Sequence, residues 1–418
     1  MIEDSKTFCI LPFIHLATYT DGSALLCCVA RNDLGLNLNE VSLAEAWNSK
    51  PVRDARLRML RGKEVSSCRR CYQEEAAGYR SHRVTENEAW KRRLGQEKIE
   101  ERLGKVEADG RLSEGLVAVD LRLGNTCNLT CVMCRPQDSS KWVGLAKKLE
   151  GNLKNLSLKW EWANKSRIDT SRFEWYKREI FWESLDEILP SLRELIIGGG
   201  EPMLLEEHRR LIEACVKSGH AKHIQIRYHT NGTLLSEDIF ELWKHFEVVE
   251  AFISLDGIGE KNTYMRAPAS WEAILKNLRR LDDYPHGNLR VLLLCSIHLM
   301  SAFYLADYAQ WVEDQNFKII NRDFNGYYHP GLVHYPRYLS VQALPKEAKD
   351  LVAARLKSFE ERSKKPSNKI AGVLNFMYQD DLTDLLPQTR EYLRKLDQAR
   401  KTDFAAVMPE LNDHLGVY

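Results

Sequence analysis

The alternation of apolar and polar positions is most regular between residues 115 and 325, where short apolar runs alternate with amphipathic segments. The apolar runs are LVAVDLRL, ELIIGGG, HIQIRYHT, VVEAFISLD, LRVLLLCSI and the less regular FKIINRDF. Segments such as LEEHRRLIEACVKSG and WEAILKNLRRLDDY, which lie between them, repeat apolar residues at helical spacing. Strand-like runs that alternate with helices in this way predict parallel βα units.

The flanking parts of the chain have different patterns. Residues 1–78 contain short strand and turn segments, including ATYTDGSALLCC, in which Asp-Gly predicts a hairpin turn. Residues 79–112 carry charges of both signs and have a helical composition, which favours a solvated helical connector. Residues 336–418 have the pattern of helices with a polar break at KKPSNK. The predicted central domain is therefore 113–335.

One long insertion separates the first two predicted strands. Residues 140–190 carry five tryptophans, namely Trp142, Trp160, Trp162, Trp175 and Trp182. An extra helical pair whose tryptophans pack on the sheet is the simpler interpretation, and a lid over a substrate is the alternative.

The charge, the apolar content and the cysteine content of the chain indicate which partners and which compartment to expect. The formal net charge of the 418 residues is +1, so no overall charge favours nucleic acid or an anionic membrane as a partner. No apolar run approaches the roughly 20 residues of a membrane helix. The start, MIEDSKTFCI, is acidic and lacks the zones of a signal peptide, which predicts a cytoplasmic protein. Ten cysteines in that compartment are more typical of metal ligands or reactive groups than of disulfides.

The stretch GNTCNLTCVMCRPQ places three of these thiols, Cys127, Cys131 and Cys134, directly after the first predicted strand. Structural zinc sites take four ligands, usually from two separated pairs. Three close thiolates are better suited to an iron–sulfur cluster in which one iron keeps a position for another ligand. The spacing therefore predicts a cluster with an open iron.

Three further motifs follow the next three predicted strands, namely GGGEP, TNGT and SLDG, and YMR comes ten residues after the last. In a parallel βα barrel the loops after the strand ends build the active site, so the four motifs predict one common site. Their side chains suit separate polar groups: Glu201 an ammonium group, Asn231 a short hydrogen-bonding partner, Ser254 and Asp256 ribose hydroxyls, and Arg266 a carboxylate.

The ordered set CNLTCVMC, GGGEP, TNGT and SLDG…YMR resembles the radical S-adenosylmethionine (SAM) superfamily over residues 115–320. The resemblance implies that a [4Fe–4S] cluster is held by three cysteines and that its fourth iron is chelated by the amino and carboxylate groups of S-adenosylmethionine. One-electron reduction, from a donor such as flavodoxin or ferredoxin, would then give a 5′-deoxyadenosyl radical that abstracts a substrate hydrogen.

The resemblance also implies roles for single residues. Cys127, Cys131 and Cys134 would hold the cluster and would be the catalytic residues. The cofactor-binding set would be Gly199, Gly200 and Glu201 at the methionine amine, Ser254 and Asp256 at the ribose, Arg266 at the carboxylate, and Asn231. Two positions depart from the family pattern: Met133 stands where an aromatic residue is frequent, and Ser301 where asparagine is frequent.

A second resemblance covers residues 7–78. CILPFIHLATYTDGSALLCC, AWNS and the closing CRRC resemble the SPASM or twitch domain, which binds an auxiliary iron–sulfur cluster. The implied ligands of this cluster, expected to be [4Fe–4S], are Cys9, Cys27, Cys68 and Cys71. Cys28 is an alternative to Cys27, because adjacent strand residues point to opposite faces. Zinc held by the same four thiols stays open as an alternative. The module precedes the barrel here, whereas in the family it usually follows it.

Together these features predict an α/β fold. It comprises a partial (β/α)6 TIM-like barrel, a small N-terminal α+β iron–sulfur domain and a helical C-terminal tail. The predicted function is that of a radical SAM enzyme acting on a peptide side chain or backbone, because auxiliary modules of this kind recur in peptide-modifying relatives. A small nucleotide, sugar or other metabolite is the alternative substrate. A non-catalytic iron–sulfur or zinc scaffold protein is the alternative from a different class.

Overall fold

One eight-stranded sheet organises the protein. The computed structural model describes residues 5–30, 33–76, 80–155, 157–159, 161, 168–322, 326–365 and 369–418. The strands are β1 (His15–Thr18), β2 (Ala24–Leu25), β3 (Ala118–Leu123), β4 (Glu194–Gly199), β5 (Gln225–Thr230), β6 (Val248–Ser254), β7 (Leu289–Ile297) and β8 (His329–Leu332). Their order in the sheet is β2-β1-β3-β4-β5-β6-β7-β8.

The pairing confirms the parallel βα alternation. Strands β3 to β8 pair in parallel, each with the next strand along the chain. Strands β1 and β2 form an antiparallel hairpin around Asp21-Gly22, as the sequence predicts, and β1 also pairs in parallel with β3. The N-terminal hairpin therefore continues the sheet of the βα units instead of forming a sheet of its own.

The last predicted strand is wrong. The run FKIINRDF spans 317–324, of which 317–322 are described, and Ile320 makes only an isolated bridge to Val291. The Asp282 carboxylate accepts the backbone N–H groups of residues 318–320, so these donors are not available to a strand. Asn321 has a positive φ of 57° and its side chain accepts a backbone N–H of β7. The last strand of the sheet is formed instead by a later segment, β8 (His329–Leu332).

Helices connect the strands and form the tail. They are α1 (Leu43–Trp47), α2 (Lys50–Leu60), α3 (Arg69–Ala76), α4 (His82–Leu94), α5 (Gln96–Gly104), α6 (Ser140–Asn152), α7 (Glu179–Ile188), α8 (Glu206–Lys217), α9 (Glu237–Trp243), α10 (Gly259–Met265), α11 (Trp271–Asp282), α12 (Leu299–Phe303), α13 (Leu305–Asp314), α14 (Lys346–Arg362), α15 (Lys369–Gln379), α16 (Leu386–Arg400), α17 (Phe404–Val407) and α18 (Pro409–Leu415). In the described part of the chain, none is long and apolar enough to cross a membrane.

The two faces of the sheet differ in chemistry, and β5 shows this clearly. Its alternate residues Ile226, Tyr228 and Thr230 are buried, and the Tyr228 hydroxyl lies 3.1 Å from Nε2 of a histidine of α8. The residues between them are only half-buried, and one of them, Arg227, pairs with Glu250 of β6 at 2.8 Å. One face therefore packs on apolar helix surface, and the other is a polar face.

The connector of residues 79–112 forms α4 and α5, but it is not simply solvated. Trp90 and Ile99 are buried, and the Arg102 guanidinium donates to the carbonyl of Phe13 at 2.6 Å. These residues fix the connector against the N-terminal segment.

One tryptophan of the insertion contacts the hairpin of β1 and β2, and another, in α6, donates to the backbone carbonyl of Cys131. Trp142, Trp175 and Trp182 are buried, whereas Trp160 and Trp162 lie outside the described residues. The Trp175 indole donates to the carbonyl of Thr20 at 3.2 Å. A Cβ atom at Gly22, whose φ is +85°, would lie 2.8 Å from Trp175.

Candidate active site and auxiliary metal centre

The loop with three cysteines leaves the end of β3 through a tight turn. Gly124 has a φ of +61°, and a Cβ there would lie 2.6 Å from the ring of Tyr176. The loop then folds on itself, because the Asn125 amide donates to the carbonyl of Pro136 at 2.9 Å and the Ser139 hydroxyl donates to that of Leu129 at 2.6 Å. The turn and these two bonds set the position of the thiols.

The three thiols lie in the one loop between β3 and α6, and their role as cluster ligands stays a prediction. Burial raises the pKa of the Cys127 thiol to about 11 and raises those of Cys131 and Cys134 as well. The negative charge of Asp138 raises the pKa of Cys134 further, and a thiolate at Cys131 or Cys127 would add to this rise. Such thiols are neutral without a metal, and iron would supply the positive charge that stabilises their thiolate forms. The donor set therefore fits an iron–sulfur cluster.

The glycines of GGGEP serve the cysteine loop. Gly200 donates its N–H to the carbonyl of Gly124 at 3.0 Å, and Glu201 donates its N–H to that of Thr126 at 2.8 Å. Gly199 has a φ of +118°, and a Cβ there would lie 2.6 Å from the Gly124 carbonyl oxygen. These glycines therefore let the cysteine loop approach the end of β4 closely, and their role at the methionine amine stays a prediction.

Glu201 connects GGGEP to TNGT. Its carboxylate is 1% exposed and accepts hydrogen bonds from the Thr230 hydroxyl and the Asn231 N–H, both at 2.7 Å, and from the Met203 N–H at 3.1 Å. Burial raises its pKa to about 7, although these three bonds act in the opposite direction. Both carboxylate oxygens have partners within the chain, so the role of Glu201 at an amine stays a prediction.

Asn231 connects TNGT to the cysteine loop. Its amide donates to the Asn128 side chain at 2.8 Å, and Asn128 donates to the Thr233 hydroxyl at 2.9 Å. Ser254, the last residue of β6, is half-buried and is on the same side of its strand as Glu250, on the polar face. Its role at a ribose stays a prediction.

Asp256 forms a buried ion pair with Arg266. The pair is bidentate, with N–O distances of 2.7 and 2.9 Å, and the two residues are 1% and 7% exposed. The Ser296 N–H also donates to Asp256, at 2.7 Å. Burial lowers the pKa of Arg266, but the charge of Asp256 raises it, and the net effect is a rise. Arg266 lies 3.8 Å from the Cys131 sulfur, so both residues belong to the thiol site.

Sequence reasoning missed several contacts that hold the cysteine loop. Two backbone N–H groups of the loop, at Thr130 and Val132, donate to the carbonyls of Ala267 and Met265 at 2.6 and 2.8 Å. The Trp142 indole donates to the carbonyl of Cys131 at 3.0 Å. Backbone partners carry no side-chain signature, and the only sequence signal for Trp142 was its place shortly after the cysteines.

A second group of four thiols surrounds one small cavity in the N-terminal segment, and its members are Cys9, Cys27, Cys68 and Cys71. Burial raises the pKa of Cys9 well above its usual value, and the other three thiols raise it further. Cys68 and Cys71 lie where α3 begins, and Cys27 follows β2. The structure thus brings together the four residues that the sequence assigns to the auxiliary centre.

Cys28 lies outside this group. It is exposed, and its sulfur is 3.8 Å from Nε2 of His82. Cys27 is buried and lines the cavity. Both residues lie beyond the end of β2, in a bend and a turn, so strand alternation does not explain the difference, but the geometry favours Cys27 over Cys28.

Several solved structures resemble the chain at low identity. Native anSMEcpe with bound AdoMet is 15% identical, with a TM-score of 0.38, over 62% of this chain and 62% of that chain. Streptococcus suis SuiB is 14% identical, with a TM-score of 0.34, over 75% and 63% of the two chains. The match to anSMEcpe thus spans 62% of that protein's length. No curated protein sequence matches the chain.

Two family models match the chain. The model of the radical SAM superfamily matches residues 121–295, which contain the three-cysteine loop and the motifs after β4, β5 and β6. The SPASM model, described as an iron–sulfur cluster-binding domain, matches residues 9–72, which contain the four thiols of the second group. The chain therefore contains a radical SAM domain, and a SPASM iron–sulfur cluster-binding domain precedes it.

Proposed function

We propose that the protein is an enzyme that binds a [4Fe–4S] cluster at Cys127, Cys131 and Cys134 and cleaves S-adenosylmethionine reductively. The observation that supports this most directly is that the loops after β3, β4, β5 and β6 are bonded to one another, and that the first of them carries the three thiols. When both are bound, the cluster and S-adenosylmethionine supply a carbon-centred radical that abstracts a hydrogen atom from a substrate.

The side chains at the site have separate proposed tasks. Arg266 binds the carboxylate of S-adenosylmethionine, and Asp256 holds the guanidinium in place by its two contacts. This arrangement favours Asp256 as a positioning residue for Arg266 over the ribose role that the sequence suggests. Ser254 is then the candidate for the ribose, and Gly199 to Glu201 remain the candidates for the amine.

The second group of thiols is proposed to hold the auxiliary iron–sulfur cluster. A single zinc ion needs its thiolate ligands at about 2.3 Å from one centre. Among the described residues, no three His, Cys, Asp or Glu side chains are arranged to hold a single metal ion. The same is true of Cys127, Cys131 and Cys134, so metal analysis, and not this geometry, distinguishes a cluster from zinc.

The proposed substrate site is the polar face of the sheet next to the cysteine loop. Arg122 of β3 lies across Gly198, where a Cβ would be 2.7 Å from its Nη1 atom, and it pairs with Asp120 at 3.0 Å. Burial lowers the pKa of His229 to about 3, and the nearby Arg122 lowers it too. His229 is therefore a neutral hydrogen-bonding group. Such a surface offers donors and acceptors to a peptide, which is the substrate class we propose.

Anaerobic reconstitution followed by iron analysis tests the proposal. We expect about eight irons per chain, from two clusters of four. With dithionite, or with a flavodoxin or ferredoxin as the proposed electron donor, the reconstituted protein should release 5′-deoxyadenosine from S-adenosylmethionine. Zinc alone, or a protein without iron, would contradict the proposal. Deuterium transfer from labelled candidates into 5′-deoxyadenosine then separates a peptide substrate from a small metabolite.

Replacement of the two adjacent cysteines should have opposite results. Cys27→Ser is expected to lower the iron content by about four atoms per chain, because it removes a thiol that lines the auxiliary cavity. Cys28→Ser should leave the iron content unchanged, since that thiol lies outside the cavity. Iron and sulfide analysis after reconstitution measures both variants. If Cys28→Ser lost iron and Cys27→Ser kept it, Cys28 and not Cys27 would be the ligand.

A further inference from the structure

The C-terminal helix α16 reaches the cysteine loop. The hydroxyl of Tyr392 donates to the carbonyl of Val132 at 2.7 Å, and the side chain of Tyr392 is fully buried. This helix lies outside residues 121–295, which the radical SAM model matches. A part of the chain without a family assignment therefore belongs to the surroundings of the three thiols.

Arg400, the last residue of this helix, lies beside the same loop. Its guanidinium carbon is 5.4 Å from the ring centroid of Trp142, and the Trp142 indole holds the carbonyl of Cys131 at 3.0 Å. Its Nη1 atom donates to the carbonyl of Tyr264 at 3.4 Å. Its Nε and Nη2 atoms are buried and have no hydrogen-bond partner among the described residues.

The chain beyond the helix fixes Arg400 in this position. Lys401 adopts the left-handed conformation that ends the helix, with a φ of 60°. The Asp397 carboxylate then accepts from the Thr402 hydroxyl at 2.6 Å, the Phe404 N–H at 2.8 Å and the Tyr418 hydroxyl at 3.0 Å. These bonds occupy the acidic group nearest to Arg400 along the helix.

The two arginines near Cys131 therefore differ in their charge balance. The charge of Arg266 is compensated by its bidentate pair with Asp256. Arg400 forms no ion pair with a carboxylate in the described part of the chain, and it lies against Trp142, whose indole donates to the carbonyl of Cys131. Reduction adds an electron to an iron–sulfur cluster, so a nearby uncompensated cation favours the reduced state.

We propose that the charge of Arg400, at the end of the C-terminal helix, raises the reduction potential of the cluster bound by Cys127, Cys131 and Cys134. This inference rests on the proposed function. It gives the helical tail a role at the radical SAM cluster, in addition to packing.

A redox titration followed by electron paramagnetic resonance tests the inference on the full-length, reconstituted protein. At a fixed applied potential, Arg400→Gln should lower the ratio of reduced to oxidised cluster about tenfold, which corresponds to a midpoint about 59 mV more negative. Arg400→Lys, which keeps the charge, should titrate like the wild type. Arg394→Gln is the matched control, because Arg394 lies on the same helix but is exposed and contacts the carbonyl of Val417. The Cys127→Ala/Cys131→Ala/Cys134→Ala variant identifies which signal belongs to this cluster.

Each outcome of the titration either supports or overturns the role of the Arg400 charge. An unchanged midpoint in Arg400→Gln with full iron content overturns the inference. If Arg400→Gln does not retain iron, Arg400→Lys decides: retention of iron with the wild-type midpoint supports a role of the charge, and loss of iron shows that Arg400 acts by packing alone. If the wild type has no signal that depends on the three cysteines, the proposed function itself fails, and the inference fails with it.

Discussion

Cys131→Ala is expected to reduce the release of 5′-deoxyadenosine to the background without protein, and to lower the iron content by about four atoms per chain. Cys131 is the middle thiol of the loop, its carbonyl is held by Trp142, and its sulfur lies 3.8 Å from Arg266. Two remaining thiols leave a second iron of the cluster without a protein ligand. Chromatographic measurement of 5′-deoxyadenosine under dithionite, together with iron analysis, gives the result.

Cys215→Ala is the matched control for this variant. Cys215 is fully buried in α8 and is not part of either group of thiols. We expect the Cys215→Ala protein to keep its iron and its cleavage activity, with at most a modest loss of stability from the smaller side chain. Cleavage by Cys131→Ala at the wild-type rate would show that the reaction does not depend on the three-cysteine site.

The convergence of the motifs could be predicted from the sequence because it follows from topology. Parallel strands place their carboxyl ends at one edge of the sheet, so motifs directly after β3, β4, β5 and β6 must be neighbours. The bonds from Glu201 to TNGT and from Asn231 to the cysteine loop confirm this placement. The partner of Asp256 could not be predicted in this way, because Asp256 can serve either a ribose or a neighbouring arginine, and its sequence context does not distinguish the two.

Other features depend on contacts between residues far apart in the chain. The run 317–324 has the composition of a strand, but the side chain of Asp282 competes for its backbone N–H groups. Tyr392 contacts Val132 across 260 residues of sequence, and helical periodicity in the tail gives no indication of which surface it covers. Local patterns therefore predicted the elements and their order, whereas these long-range partners needed the structure.

A stability measurement can distinguish a role of Asp256 as the partner of Arg266 from a direct role at a ribose. Asp256→Ala is expected to lower the free energy of unfolding by about 3–5 kcal/mol, because it leaves a buried guanidinium without its partner. Chemical denaturation under anaerobic conditions measures this change. The double variant Asp256→Ala/Arg266→Met should recover part of the loss, since it removes the unpaired charge together with its partner.

An exposed ion pair of the same chain provides the control. Asp350→Ala removes the partner of Lys346, a pair whose side chains are 51% and 81% exposed, and should cost less than about 1 kcal/mol. If Asp256 instead bound a ribose directly, Asp256→Ala would weaken the binding of S-adenosylmethionine while costing no more stability than Asp350→Ala. A stability loss well above the control, recovered in the double variant, therefore assigns Asp256 to Arg266, because only the buried pair makes the cost of one substitution depend on the other.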